Sequence, residues 1–176
     1  PCGTLFPYTT LFRSGVELRM AWSEFWEAAL GVETVYDRIR STTLGRHREF
    51  RKSLYGELRL QPAENLVLTP GVRVDDHSEW DSFVSPSLRM RWAVDDHLSF
   101  TAGVHRLFRA PDFTERYYSS PANQGNPDLD PEKAWAFESG LVFGLEAFDL
   151  RTAFFARNSE DLVDWTRSSG GAPWQA

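Results

Sequence analysis

Apolar and polar residues alternate along most of this chain with a period of two, the spacing of a half-buried β-strand. In residues 54–61, Leu54, Gly56, Leu58 and Leu60 point to one side, and Tyr55, Glu57, Arg59 and Gln61 to the other. Leu66, Leu68, Pro70, Val72 and Val74 then oppose Val67, Thr69, Gly71, Arg73 and Asp75. Val84, Pro86, Leu88, Met90, Trp92 and Val94 oppose Ser85, Ser87, Arg89, Arg91 and Ala93. Leu98, Phe100, Ala102 and Val104 alternate with Ser99, Thr101, Gly103 and His105. Stretches 134–144 and 147–157 follow the same rule, and 16–22 and 27–39 follow it less cleanly. The pattern predicts an all-β, antiparallel up-and-down meander of about eight strands and no convincing helix. Several strands run to about 10 to 13 residues, beyond the usual globular length of about 5 to 6. A tilted membrane strand needs about 9 to 11.

The connections alternate in length. Short turns fall at 62–65, 95–97 and 145–146, and longer polar connections at 40–48, 77–82 and 109–133. Turns gathered at one end and loops at the other mark an up-and-down bacterial barrel, with the loops outside. A soluble sandwich has no reason to sort its loops this way. Strands ending at Asp76, Phe108 and Arg157 then climb outward, and those starting at Phe50, Phe83 and Ala134 descend. Gly31-Val32-Glu33, Gly71-Val72-Arg73 and Gly103-Val104-His105 form a weak repeat in the middle of climbing strands. The polar side carries more Arg, Glu and His than a small soluble barrel can enclose, whereas a wide barrel lines water or a polar plug with them. Trp92 falls near a turn end, and Trp135 and Trp165 near loop ends, the heights of two aromatic girdles.

Composition narrows the partners. The chain is 41% hydrophobic and 14% aromatic, so disorder is excluded. Its net charge of −6, with no basic block, argues against nucleic acid. No apolar run approaches the roughly 18 residues of a membrane-spanning helix, which leaves barrels untouched. Cys2 is the only cysteine, so neither an internal disulfide nor a Cys-based metal cage can form. No secretory signal opens the chain, and for an exported protein this predicts an incomplete sequence. Residues 1–14 look foreign to the rest and resemble a translated sequencing adapter. The expected organisation is therefore a non-native segment at 1–14 and a partial barrel domain at 15–176.

Residues 108–115 read Phe-Arg-Ala-Pro-Asp-Phe-Thr-Glu, residues 125–132 Gly-Asn-Pro-Asp-Leu-Asp-Pro-Glu, and residues 137–141 Phe-Glu-Ser-Gly-Leu. An ascending strand ending in an RAP motif, an external loop, a GNP.L.PE element and a strand opening with Glu and Gly resemble the signature of TonB-dependent outer-membrane receptors. The positions that carry it are Arg109, Ala110, Pro111, Phe113, Glu115, Gly125, Asn126, Pro127, Leu129, Pro131, Glu132 and Glu138. The hairpins at 54–60, 68–76 and 85–92, and the segment 157–163, are also similar to that family.

The resemblance implies a piece of a roughly 22-stranded barrel closed by a plug. It implies import of a scarce solute (siderophore, cobalamin, metal chelate or oligosaccharide) with energy relayed by TonB. The partners it implies are outer-membrane lipid, the TonB complex through parts absent from this sequence, and a small-molecule or metal-chelate ligand. Alone, such a piece is expected to be a curved open sheet with two unpaired edges.

Within the motif loop, Pro111, Pro127 and Pro131 stop a ladder. Gly125-Asn126 is expected to make a tight turn with positive φ, and Arg109 to pair with Glu115. Arg109, Tyr117, Tyr118 and Asn123 are candidates for a ligand vestibule, with plain loop architecture as the competing reading. No cofactor, metal or catalytic residue is expected. The triplets Asp75-Asp76-His77 and Asp95-Asp96-His97 are a strand apart, too far to share a metal, and read as solvated turns. Asp128, Asp130 and Glu132 offer oxygens for Ca²⁺ but lack the rest of an EF-hand. Ser, His and Asp occur without a nucleophile elbow, and Gly170-Gly171 lacks a phosphate-loop context. Two other readings compete: a soluble β-sandwich binding carbohydrate or another ligand, and a small closed eight-stranded barrel.

Overall fold

A computed structural model describes residues 8–169 and 172–176. Residues 1–7 of the foreign-looking segment and the Gly170-Gly171 pair lie outside the described residues. The elements are β1 (Tyr8–Ser23), β2 (Trp26–Ser41), β3 (Gly45–Ala63), β4 (Leu66–His77), β5 (Phe83–Ala93), β6 (Leu98–Arg109), helix α1 (Phe113–Tyr117), β7 (Asn123–Gln124), β8 (Glu132–Leu145), β9 (Phe148–Glu160) and β10 (Trp174–Gln175). Eight long strands form one sheet in the order β1-β2-β3-β4-β5-β6-β8-β9, each antiparallel to the next. The fold is the all-β meander that the alternation predicts. Because β1 and β9 are the two ends of that order, the sheet is open. The small closed barrel is thereby excluded for this arrangement.

Register keeps like faces together. Leu30, Leu54, Val72, Leu88, Val104 and Phe137 share one side through the pairs Val32↔Leu54, Leu54↔Val74, Val72↔Pro86, Leu88↔Val104 and Val104↔Phe137. Among the described residues nothing covers that side: Leu30, Val32, Leu54, Val72, Leu88 and Phe137 are all exposed. The total accessible surface is 12420 Å², whereas a folded globular monomer of this mass exposes about 8,800 Å². A sandwich would bury this face against a second sheet. No such sheet is present among the described residues, so the sandwich reading is not favoured.

The band has a definite height. On β2 it runs from Trp26 to Tyr36, and on β3 from Leu60 to Phe50, with Trp26 opposite Leu60 and Tyr36 opposite Phe50. Ten residues at about 3.3 Å, tilted by about 40°, give roughly 25 Å. Trp92, opposite Phe100, lies at the turn end, and Trp135 at the loop end of β8. Trp165 lies in the half-buried stretch beyond β9.

Three expectations need correction. Residues 40–48 are not a long connection: β2 and β3 stay paired up to Ser41↔Gly45, and 42–44 turn tightly into Gly45 at φ 79, a conformation that Gly adopts without Cβ strain. The hydrophobic pattern fades there because the outward face of the hairpin changes to arginine above the band, while the ladder itself continues. Strand β1 pairs with β2 from Tyr8↔Arg40 downward, so the ladder begins before residue 15. A short helix, α1, interrupts the loop after β6. Finally, β7 and β10 form a small parallel sheet that no periodicity announced.

Candidate functional site

The chemistry gathers at the loop end, on the polar side of the sheet. Pro111, just past the end of β6, is fully buried and has no N–H to extend the ladder. Asp112 then caps α1. Its Oδ1 accepts from the N–H of Thr114 at 2.7 Å and of Glu115 at 2.8 Å, while Glu115 Oε2 accepts from the Asp112 N–H at 2.7 Å. This reciprocal capping box sets where the helix begins.

Arg109 sits between two carboxylates. Its Nε and Nη2 donate to Glu132 at 2.8 and 2.7 Å, and its Nη1 donates to both oxygens of Glu115 at 3.0 Å. The Arg109–Glu115 pair expected from the sequence is present, and the fork to Glu132 is bidentate, the strongest geometry for such a contact. Glu132 is buried and also accepts from the Val163 N–H at 2.9 Å. It therefore ties the end of β6, the start of β8 and the segment after β9 together. Glu132 lies above the apolar band, where the outward pair is Lys133↔Glu160. The Arg109 guanidinium, with the Val163 N–H, holds its carboxyl down at about 2 against the opposing effect of burial.

A second cluster packs α1 onto the neighbouring hairpins. Arg116 is buried between the rings of Trp80 and Tyr117, 4.6 and 4.7 Å from their centroids. One end of its guanidinium pairs with Glu49, and the other lies 3.4 Å from Glu79. Tyr117 stacks on His47, with centroids 3.5 Å apart and planes 3° from parallel, and burial pushes its hydroxyl pKa up. His47 Nε2 is 2.7 Å from the Leu44 carbonyl, which fixes the ring at the hairpin tip. Trp80 Nε1 donates to the Leu129 carbonyl at 3.2 Å. The connections 42–44, 78–82 and 110–131 are thereby interlocked above the polar face.

The rest of the motif is structural. Gly125 donates to the Tyr118 carbonyl at 2.7 Å, and Asn126 N–H to the Glu115 carbonyl at 2.9 Å. Gly125 does not have the expected positive φ. Glycine is needed for close approach instead, because a Cβ there would lie 2.7 Å from the Glu115 carbonyl oxygen and 2.9 Å from the Arg116 carbonyl carbon. Asn126 Oδ1 accepts from the Asp128 N–H, and Pro131 is buried. Asn123 pairs with Trp174 of β10.

Of the vestibule candidates, Arg109 is engaged by Glu115 and Glu132, Tyr117 by His47 and Arg116, and Tyr118 and Asn123 by backbone contacts. Glu138 lies lower on β8, over Gly103, apart from the rest. The first Asp-Asp-His triplet is no solvated turn: Asp75 is buried and accepts from Ser53 Oγ at 2.6 Å and Arg73 Nε at 3.0 Å. The second is one, with Asp95 Oδ1 accepting from the N–H groups of His97 and Leu98 at 2.8 Å. The carboxylate of Glu132, offered for Ca²⁺, is already taken by Arg109 and Val163. Sequence reasoning missed Arg116, Trp80, Glu49 and His47. Their separations along the chain leave no local signal; for the helix a signal existed and was not read, Asp112 standing three residues before Glu115 as in a capping box.

The lower polar face is lined by ion pairs: Arg73 with Glu33 across the sheet at 2.9 Å and with Asp75 on its own strand at 3.0 Å, and Arg89 with Glu57 across the sheet at 2.8 Å. It forms a concave wall beneath the interlocked loops. A family model described as the β-barrel of TonB-dependent receptor-like proteins matches residues 6–175. The chain belongs to that family.

Among the similar curated proteins, the ferric enterobactin receptor PirA of Pseudomonas aeruginosa is 36% identical over 132 residues, covering 64% of this chain and 17% of that protein. The vitamin B12 transporter BtuB of Vibrio vulnificus is 29% identical over 113 residues, covering 64% and 18%. The crystal structure of the siderophore receptor PirA from P. aeruginosa superposes with a TM-score of 0.80 at 24% identity, covering 87% of this chain and 32% of that one. A mutant ferric enterobactin receptor from the same organism, in complex with enterobactin, gives 0.77 at 18% identity, covering 96% and 31%. The sheet is therefore a TonB-dependent receptor fold, and the chain spans less than a third of these solved receptors.

Proposed function

We propose that this TonB-dependent receptor segment is wall and extracellular loop of an outer-membrane receptor that imports a scarce solute, such as a siderophore or cobalamin, in an energy-coupled manner. The observation that carries the reading is the pairing of two faces. One is an uncovered apolar band roughly 25 Å tall between aromatic rows, which suits lipid. The other is an ion-paired polar wall with the loop of α1 folded over it, which suits a hydrated lumen. Relatives named as transporters of vitamin B12 and receptors of ferric enterobactin support solute import. The plug and the TonB contact belong, in this reading, to other parts of the protein. Tyr117, Tyr118 and Asn123 border the mouth, and Arg109 holds them there by fixing the loop's base.

The same reading treats 15–176 as barrel and 1–14 as foreign. Leu11 supports the junction, since it lies on the polar side beside Arg13 at 67% exposure and breaks the alternation. The ladder from Tyr8 and the family match from residue 6 weigh the other way. Long-read sequencing across both ends, followed by expression of the complete frame, tests all of this. A plug upstream, a heat-modifiable band in the outer-membrane fraction and uptake of a labelled ferric siderophore or cobalamin that stops on uncoupling are expected. Residence in a soluble fraction overturns the proposal.

A further inference from the structure

Arg38, Arg40, Arg46 and Arg48 lie on the outward side of the β2–β3 hairpin, in line with Tyr36 and Phe50, and all four are exposed. Arg38 stands directly opposite Arg48, and Arg40 directly opposite Arg46. Like charges facing each other across a ladder repel. On the polar wall the arginines resolve such repulsion with carboxylates: Arg13 on Glu33, Arg73 on Glu33 and Asp75, Arg89 on Glu57. None of the four outward arginines forms an ion pair among the described residues. The next strand adds no acid, since Arg38 meets Thr10 of β1. Asp76 faces Lys52, further down the hairpin.

Height identifies what would meet them. Arg38 and Arg48 are two residues beyond the Tyr36–Phe50 aromatic row, and Arg40 and Arg46 four residues beyond it. At about 3.3 Å per residue and a tilt of about 40°, they stand roughly 5 and 10 Å above the apolar band. The headgroup layer of a bilayer is itself about 5 to 8 Å deep on each side. Strands lie about 4.8 Å apart, so the two guanidinium pairs form a compact patch, the lower pair within that layer and the upper pair just above its outer boundary. Planar guanidinium forks match phosphate oxygens in pairs.

We propose that Arg38, Arg40, Arg46 and Arg48 form a binding site for the phosphate-bearing headgroups of lipid in the outer leaflet, the anion relieving a cross-strand repulsion that the protein leaves uncompensated. This rests on the outer-membrane reading above.

The test uses the intact receptor in zwitterionic detergent, titrated with a bisphosphorylated glucosamine lipid and followed by native mass spectrometry. The variant carrying Arg38→Gln, Arg40→Gln, Arg46→Gln and Arg48→Gln should need at least about tenfold more lipid for half-saturation, since each surface cation contributes about a fivefold factor before screening and screening cuts the product of four. Arg40→Gln with Arg46→Gln alone, at the hairpin tip, should fall between and serves if the fourfold variant does not assemble. Arg59→Gln with Arg91→Gln, on the polar wall, should leave the titration unchanged. The dephosphorylated lipid should bind the parent and the fourfold variant equally weakly, and inorganic phosphate at the same phosphate concentration should not compete.

Identical titrations for parent and variants, with the parent still heat-modifiable, would sink this inference and leave the receptor reading standing. Full competition by inorganic phosphate would also overturn it, in favour of a small-anion site. A parent that shows no heat-modifiable barrel removes both.

Discussion

At the scale of single residues, the loop base depends on Arg109 standing between Glu115 and Glu132. Removing one partner leaves the other charge short of its bonds, and a hydrogen bond to a charged group contributes about 1.5 to 3 kcal/mol. Glu132→Gln should therefore loosen residues 110–131 by roughly 2 kcal/mol, read as faster proteolysis of that loop in the intact receptor. An unchanged cleavage rate would show that the Arg116 cluster holds the loop without it. The pH dependence has a definite sign. Glu132 titrates at about 2 in the folded state, below its ordinary value, held there chiefly by Arg109. A depressed carboxylate stabilises above its unfolded pKa and loses that contribution as pH falls through the folded value. Loop protection should accordingly hold from pH 8 to about 5 and fade only as pH falls toward 2. Fading near pH 6 instead would show that Glu132 is not the controlling group.

At the scale of elements, the two faces of β5 offer the sharpest contrast. Leu88 lies mid-strand on the uncovered side, between Pro70 and Val104, while Arg89 beside it pairs with Glu57 across the polar wall. Leu88→Arg should impair assembly by roughly 2 to 4 kcal/mol, the cost of a cation at the bilayer midplane, whereas Arg89→Leu should be much milder. The heat-modifiable fraction of the full-length protein measures both, and equal losses would mean that the faces are reversed. Gly125→Ala acts through the loop instead, because its Cβ would press on the Glu115 carbonyl 2.7 Å away. Overpacking against backbone costs about 1 to 3 kcal/mol. Faster cleavage of 110–131 is expected, with barrel assembly unaffected.

These elements differ in how far the sequence revealed them. The eight strands were legible because one face is apolar and the other polar along their length, so Leu88 and Arg89 alternate. The β2–β3 hairpin was not, because above the band Arg38, Arg40, Arg46 and Arg48 replace the apolar row and the period-two signal vanishes while the hydrogen bonds continue. The contact of Arg109 with Glu115 was legible as a neighbouring opposite charge. The cluster of Arg116 with Glu49, Glu79 and Trp80 was not, since it joins three connections that only the folded sheet brings together.

At the scale of the whole chain, the uncovered face and the open edges set its behaviour. β1 and β9 each leave one row of backbone groups without a strand. Both are strongly apolar toward solvent, with Val16 and Leu18 on β1 and Phe154 and Phe155 on β9 among the most exposed large side chains. An unpaired, apolar edge is a template for any other strand, and unmade backbone bonds cost several kcal/mol each in hydrocarbon. Detergent can cover the apolar band but cannot close the ladder. The isolated chain should therefore fail to give a heat-modifiable monomer after refolding in detergent and should associate through its edges. Electrophoresis with and without heating reads the first result, and light scattering the second. A discrete heat-shifted monomer would mean that β1 and β9 can meet, turning the open sheet into a small closed barrel. In that case the polar wall would have to pack its ion pairs into a far narrower lumen than the present curvature gives them.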